Sequence, residues 1–530
     1  MSPETPVGPK PPARSEAPAR SETPVSPETP ARSNAPARSD APARQTRARR
    51  SGTGRILRIE LRRSAAPLAG VLLLILALAL LQLVSGPWWK GAESWTQQWT
   101  STAWWERFTM VLMWPLAVTA GAVQGIRDRR SGTSELLAAT PRPRWHRATT
   151  TAGAFALTLT AAYVLVFLYG GVRVLANDGY AHLGWLPILA VGVLALVAGA
   201  LLGMGVARTV PSALTPPVLA LGSLMAVLIV HDTVTGDLVP NRIVLLSPAL
   251  SQVYSAFLTV TWRVHAGQAL WLLGLAATGF LLLVARKPRA RLLALLPVVL
   301  GAAVAVPLLP ADNARNYALD KAATALVCEG RVCVTKLHEP RLAALKGPGE
   351  EALRLLGRLP DPPSAVRESV DPWPVDKEAS PPANAVPANA VPANAVPADV
   401  VPVDFEAQAL DGAPEDEYTR ALLAGAGTAP CLDADTSDPT EEQRQASYET
   451  EVVRELAART VAAAWFTGDL KPLRGTGWPR ADIDALAGPA WDALRALPPE
   501  AQRARITALR TAALSCDGDL LDVLKNGGPR

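Results

Sequence analysis

The stretch Ala65–Val84, AAPLAGVLLLILALALLQLV, decides the fold of this 530-residue chain. It carries no charge over the length that a helix needs to cross the hydrocarbon core of a bilayer, about 20 residues. Such a run predicts a transmembrane helix. Apolar residues concentrate between about Ala65 and Pro310, whereas both ends of the chain are polar and rich in Pro and Ala. The chain is therefore predicted to be a multi-pass protein of the lipid bilayer.

Further apolar stretches complete a predicted set of seven spans, which gives a mainly α fold, a polytopic transmembrane helix bundle. They are Phe108–Val123, Thr150–Leu175, Leu186–Ala207, Leu214–Val230, Ala269–Val284 and Leu292–Leu309. We expect a six-span core over 65–290 and a seventh transmembrane helix over 291–310.

An eighth apolar stretch, Ile243–Trp262, contains Pro248 and several polar side chains. Irregular backbone at membrane depth is tolerated only where protein buries it. We therefore predict a re-entrant hairpin over 243–262, with a full crossing as the alternative.

Positive charges should collect in the cytoplasmic loops. They do so before span one, between spans two and three, after span four and between spans six and seven. These residues are Arg55, Arg58, Arg62, Arg63, Arg127, Arg129, Arg130, Arg142, Arg144, Arg147, Arg208, Arg286, Lys287, Arg289 and Arg291. All fall on one side only if 243–262 does not cross. This predicts a cell-membrane protein with a cytoplasmic N-terminus and an extracytoplasmic C-terminus.

The loop between spans one and two lies on the opposite side and is rich in tryptophan. Its residues Trp88, Trp89, Trp95, Trp99, Trp104 and Trp105 are typical of an interfacial aromatic belt. An aromatic ligand box is the alternative.

Two segments have compositions that do not support a packed core. Residues 1–50 repeat a Pro-Ala-Arg-Ser unit and predict a disordered cytoplasmic tail. Its arginines are interpreted as an orientation signal before a span, so no nucleic-acid partner is expected. A five-residue Pro repeat predicts a disordered insertion over 371–404.

The polar region 311–530 is predicted to be a mostly helical extracytoplasmic domain with a short strand pair around Ala325–Thr335. It holds all four cysteines of the chain, Cys328, Cys333, Cys431 and Cys516. An oxidising compartment permits disulfides, and four cysteines allow three pairings. We favour Cys328–Cys333 and Cys431–Cys516, with a zinc site as the competitor.

A charged elbow, DRRSGTSELLAATPRPRWHR, joins spans two and three from Asp128 to Arg147. Thr133 or Ser134 can cap a short helix with Glu135 near its positive end, and Pro141 stops it. The predicted element is a short helix over 132–140 that lies across the membrane face.

Within this elbow RSGTSELLAATP, Arg130–Pro141, resembles the coupling helix of permease subunits of type-2 ABC exporters. RILRIELRRSAAPL before span one resembles the family's amphipathic connecting helix, here over 51–64, and LSPALSQVYSAF resembles its re-entrant extracellular hairpin. The resemblance covers about 50–290, roughly half of the chain.

The resemblance implies that Gly132, Thr133, Glu135 and Leu136 dock into a cleft on a separate ABC ATPase subunit. ATP-driven closure would then rock two permease halves, supplied by a homodimer or by a related permease subunit. The direction of transport, export, also comes from the resemblance.

Sequence motifs for catalysis are missing from the whole sequence. It has no G-x-x-x-x-G-K-[ST], no H-E-x-x-H and no G-x-S-x-G. We therefore expect no enzyme activity, no cofactor and no metal site. The alternative function is a membrane anchor or sensor whose extracytoplasmic domain binds a ligand or a partner.

Overall fold

A computed structural model describes residues 58–59, 61–62, 64–84, 88, 98–130, 144–177, 179–232, 239–250, 256–370, 391–392, 396–405, 410, 413–431, 441–474 and 480–527. Residues 55–530 belong to one compact unit. The predicted disordered tail, 1–50, lies outside the described residues. Of the predicted connecting helix, 51–64, residues 58–59 and 61–62 are helical.

The apolar half of the chain is a bundle of helices. Their bounds are α1 Ala66–Ala79, continued by a π-helical turn at Leu80–Val84, α2 Trp99–Phe108, α3 Met110–Arg130, α4 Arg144–Ala176, α5 Trp185–Thr209, α6 Thr215–Asp232, α7 Asn241–Val244, α8 Trp262–Val284, α9 Pro288–Leu293 and α10 Leu296–Leu308.

Six helical segments are long and apolar enough to cross a membrane, which supports a multi-pass membrane protein. They are Ala66–Leu83, Met110–Arg127, Trp145–Ala176, Trp185–Thr209, Trp262–Val284 and Pro288–Leu308. The apolar part of α6, Thr215–Val230, is shorter. A seventh crossing therefore stays a prediction.

The second predicted span was placed wrongly by several residues. The prediction was Phe108–Val123, but α3 runs from Met110 to Arg130. The helix continues through AVQGIRDRR because this run contains no proline and most of its residues are adequate helix formers. The third span likewise begins at Arg144, well before the predicted Thr150.

Close helix packing depends on glycine at several crossings. A Cβ at Gly203 on α5 would lie 2.0 Å from the carbonyl oxygen of Val118 on α3. A Cβ at Gly279 on α8 would lie 2.4 Å from the carbonyl carbon of Leu201 on α5. Small residues allow such backbone contact, which provides packing where lipid supplies no hydrophobic drive between helices.

The bundle has two ends with different chemistry. We call the end that carries Arg144, Arg208 and the Arg286–Arg291 run the basic end. Close contacts show that α3 and α5 run parallel, and that α1 runs antiparallel to α3 and parallel to α4, so α3 reaches the basic end at its C-terminus and α4 leaves from it. The other end carries the polar region 311–527, and we call it the domain end.

The stretch Ile243–Trp262 lies at the domain end. Among its described residues only Ile243 and Val244, which end α7, and Trp262, which begins α8, are helical, and β1, Leu258–Val260, pairs antiparallel with β2, Tyr317–Leu319. No helix long enough to span lies in 241–250 or 256–261. The re-entrant insertion itself stays a prediction.

The polar domain, residues 311–527, contains a sheet that the sequence only partly predicted. The expected strand pair is β3 Leu326–Glu329 and β4 Val332–Thr335, joined at Gly330, whose φ is +65°. Helix α11, Leu342–Leu356, then crosses to β5, Ala365–Val370, which lies parallel to β4. The strands β6 Val391–Pro392 and β7 Val400–Val403 also pair parallel with β5.

The predicted insertion over 371–404 was wrong at its C-terminal end, because Val400–Val403 is a buried strand. Pro402 lacks an N–H but is tolerated there, since β7 pairs with β5 alone among the described strands. Residues 371–390 and 393–395 lie outside the described residues.

The rest of the polar domain is helical, as predicted. It comprises α12 Glu415–Leu423, α13 Glu441–Thr467, α14 Arg480–Arg495, α15 Pro499–Ser515 and α16 Leu520–Asn526. One hydrophobic core unites sheet and helices and includes Val334, Leu353, Val401, Val461 and Leu509.

The prediction of disulfides is confirmed. Cys328 is bonded to Cys333, and these residues stand opposite each other in the β3–β4 ladder. Cys431 is bonded to Cys516 and joins the segment before α13 to the end of α15. These are the two pairs favoured from the sequence.

The polar domain packs directly on the bundle. Leu319, Leu337 and Val370 belong to the same hydrophobic cluster as the helices. The ring of His338 lies between Phe257 and Phe405, with centroid distances of 5.9 and 4.9 Å. His338 Nδ1 contacts the carboxylate of the equally buried Glu368, which also accepts a hydrogen bond from the Thr335 amide at 2.7 Å.

Candidate functional site: a buried charged pair at the domain end

The residues predicted to couple to an ATPase, Gly132, Thr133, Glu135 and Leu136, lie outside the described residues. Their attachment points are described. Helix α3 ends at Arg130 and α4 begins at Arg144, both at the basic end. The predicted coupling segment therefore joins two membrane-spanning helices at that end.

Glu106 and Arg107 were not singled out by the sequence analysis, yet both are almost fully buried, at 1% and 0% exposure. They stand in the last turn of α2, immediately before α3 begins at Met110. Since the second span is predicted to begin at Phe108, both residues fall at the end of the tryptophan-rich loop. The signal that could have revealed the pair is this adjacency of Glu and Arg to a span.

The interfacial interpretation of the tryptophans is wrong for the two that pack most tightly. Trp104 is fully buried and stacks on Tyr317 of β2 at 5.1 Å. Trp88 is buried edge-on against Tyr169 at 5.1 Å. These rings therefore pack inside the protein, against α4 and the polar domain, and not on its outer surface. Trp89 and Trp95 lie outside the described residues.

Arg107 binds backbone carbonyls from distant parts of the chain. Its Nε and Nη2 donate to the carbonyl oxygen of Pro248 at 3.0 and 2.7 Å. Nη1 donates to the carbonyl oxygen of Ile188 at 3.4 Å, and Nη2 also donates to Gln268 Oε1 at 3.1 Å. The guanidinium thus ties α2, α5 and α8 to the irregular segment after α7.

Two further side chains donate hydrogen bonds to backbone carbonyl groups of the same irregular segment. Gln268 Nε2 donates to the carbonyl oxygens of Leu245 and Ser247 at 3.0 and 3.3 Å. Trp271 Nε1 donates to that of Leu246 at 3.1 Å. Gln268 lies about 9 Å along α8 from its first residue, so the irregular segment reaches at least this far along the helix. Buried carbonyls outside a helix need such donors, and this explains how non-helical backbone is accommodated here.

Glu106 differs from Arg107 in having no such partner. Neither of its carboxylate oxygens has a hydrogen bond within the described ranges, and the same holds for the buried Tyr163 hydroxyl. Tyr163 interacts electrostatically with both Glu106 and Arg107. An ionised carboxylate in such surroundings is costly unless a counter-charge, a proton or a ligand neutralises it.

Other buried polar atoms on α2 share this property. Ser101 Oγ, Thr102 Oγ1 and Trp105 Nε1 are buried without a hydrogen-bond partner among the described residues. Helix α2 therefore concentrates unsatisfied donors and acceptors inside an otherwise apolar bundle. Such an arrangement can accept a proton or bind a polar or cationic group.

We refer to Glu106, Arg107, Tyr163 and Gln268 as the buried polar site. In the part of the chain that the structure describes, no group of three or more His, Cys, Asp or Glu side chains is placed to hold a metal ion. No family model, curated protein or solved structure matches the chain.

Proposed function

We propose that the chain is the membrane-spanning permease subunit of an ABC transporter, an exporter, driven by a separate ATPase subunit through the helix over 132–140. Two copies of the chain, or one copy and a related permease subunit, would form the pathway. The N-terminus would be cytoplasmic and the polar domain extracytoplasmic. The sequence of the coupling segment suggests the partner.

One structural observation supports this function most. The coupling segment and the buried polar site are attached to opposite ends of one helix, α3. This helix has 21 residues, a length of about 31 Å. A displacement of the segment 131–143 would be carried along α3 to its N-terminus at Met110, three residues after Arg107, and would shift Arg107 against its carbonyl partners. A static membrane anchor has no need of such a connection.

The chemistry of the buried polar site agrees with a transport role. Ionisable side chains inside a membrane protein are costly, and they mark substrate or ion paths by default. Arg107 is satisfied and therefore holds the site together. Glu106 has free acceptor oxygens and is the residue we expect to meet a polar substrate group.

The decisive experiment is co-purification of the chain with candidate ABC ATPase subunits from the same genome, followed by measurement of ATP turnover. Glu135→Ala should lower stimulated turnover at least about tenfold, a loss of 1.4 kcal/mol of coupling. Ser131→Ala, in the same segment but outside the docking residues, is the matched control. Unchanged association and turnover with Glu135→Ala would remove the coupling role.

Glu106→Gln tests the buried polar site separately. We expect association with the ATPase to persist while substrate stimulation of turnover falls. If no ATPase subunit binds the chain at all, the alternative function, a membrane anchor or sensor, replaces the permease.

A further inference from the structure

A cavity of roughly 520 Å³ opens at the domain end, and its lining contains no residue of the buried polar site. Its lining includes three arginines, Arg242, Arg263 and Arg315, and one acidic residue, Asp312. Three positive charges against one negative charge leave a net charge of +2 on the described lining. The volume falls within the range of small-molecule sites, about 300–1,000 Å³.

The three arginines come from segments that hydrogen bonds hold together. Asn241 beside Arg242 and Asn316 beside Arg315 form a reciprocal amide pair, with N–O distances of 2.9 and 3.0 Å. The amide of Thr261, close to Arg263, donates to the carbonyl oxygen of Asn316 at 2.9 Å. The walls of the cavity are therefore fixed before any ligand arrives.

One nitrogen of these guanidinium groups is buried and unsatisfied. Arg242 Nε is buried and has no hydrogen-bond partner among the described residues. Arg315 lies 3.9 Å from Asp312, but both side chains are largely exposed. A buried donor without an acceptor, beside two further arginines, is suited to a phosphate oxygen, because guanidinium groups match phosphate geometry.

The surroundings of the cavity identify the source of the phosphate. Trp262, the first residue of α8, is 66% exposed, and aromatic residues at span ends lie at headgroup level. The adjoining helix α10 presents exposed Val299, Leu300 and Val304 along its length. An acyl chain can lie on this face while its headgroup enters the cavity.

We propose that this cavity binds the headgroup phosphate of an anionic phospholipid of the leaflet next to the polar domain. Arg242 and Arg263 contact the phosphate oxygens, and Trp262 packs against the glycerol region. This site goes beyond the proposed transport function, because it depends only on the helices spanning a bilayer.

The test is native mass spectrometry of the full chain in mild detergent, titrated with phosphatidylglycerol and with phosphatidylcholine. The wild type should retain phosphatidylglycerol in preference. Both guanidinium groups donate charge-assisted hydrogen bonds to the phosphate in the proposed complex, so Arg242→Gln with Arg263→Gln should weaken retention at least about tenfold. Arg173→Gln, an exposed arginine in the last turn of α4, is the matched control and should bind as the wild type.

Two further arms fix the interpretation. Arg242→Lys with Arg263→Lys keeps the charge but loses the planar fork that matches phosphate, so its loss of affinity should be smaller than that of the Gln variant but measurable. Equal losses in the Gln and Lys variants, or in Arg173→Gln, would overturn the proposal. Millimolar inorganic phosphate should not displace the lipid, and complete displacement would refute a lipid source.

Discussion

The two disulfides of the polar domain close loops of very different length, and this difference predicts unequal contributions to stability. The Cys431–Cys516 bond joins residues 85 positions apart, and the Cys328–Cys333 bond joins residues 5 apart. From the loop-closure entropy, −2.1 − 1.5R ln n cal/mol/K, the long loop is worth about 4.6 kcal/mol and the short loop about 2.1 kcal/mol at 25 °C. The difference, about 2.5 kcal/mol, corresponds to roughly a 70-fold difference in the opening equilibrium.

Hydrogen exchange measured by mass spectrometry on the full chain can detect this difference. Residues Ala457–Ala464 of α13 are buried in the core of the polar domain, and their amides exchange when that core opens. We expect Cys431→Ala with Cys516→Ala to accelerate their exchange about 70-fold more than Cys328→Ala with Cys333→Ala. Peptides of α8 are the internal control. Equal acceleration in both variants, or a larger effect from the short loop, would refute the entropic reasoning.

Three further substitutions test the bundle and the domain. Arg107→Lys keeps the charge but loses the fork that grips the Pro248 carbonyl, so we expect a loss of about 2–3 kcal/mol, seen as a lower melting temperature in detergent. An unchanged melting temperature would contradict this role. Gly203→Leu should abolish the monodisperse peak in size-exclusion chromatography, because even a Cβ lies 2.0 Å from a backbone oxygen; wild-type yield would count against the close packing. The pKa of Asp469 is lowered to about 2, and the hydrogen bond from Lys471 is the largest contribution to this shift. Its stabilising effect, at most about 1 kcal/mol for so exposed a group, is present above about pH 4 and lost towards pH 2. Thermal unfolding of Asp469→Asn and wild type should therefore differ at pH 6 and converge at pH 2, and a constant difference would disprove the ion pair.

The predicted helices were found where hydropathy alone fixes the structure. A run such as Ala66–Leu83 contains no polar side chain before Gln82, so a helix that spans a bilayer follows from its composition and length. The β3–β4 hairpin could also be predicted from the sequence, because CEGRVC places a glycine between two short β-prone segments.

The missed strand β5 had a misleading pattern. Its sequence, AVRESV, carries charged residues, and Glu368 is buried at 1% exposure because His338 and the Thr335 amide satisfy its carboxylate. Such compensation comes from residues about 30 positions away and has no local signature. Val400–Val403 was missed because it adjoins the Pro repeat and resembles it in composition.

The buried polar site was missed for the same physical reason. Arg107 is separated by 141 residues from Pro248 and by 161 from Gln268. Only the folded bundle brings these groups together. The sequence could indicate that a charge stands beside a span, but not that distant carbonyl groups would satisfy it.

The short ladder between β1 and β2 has a mechanical consequence. Thr261 alone separates β1 from α8, and β2 begins the ordered strands of the polar domain. A tilt of α8 must therefore either carry the base of that domain with it or break the ladder. By thermodynamic reciprocity, a binder that holds the polar domain in place would resist a tilt of α8, and a tilt of α8 would change the affinity of the domain for that binder.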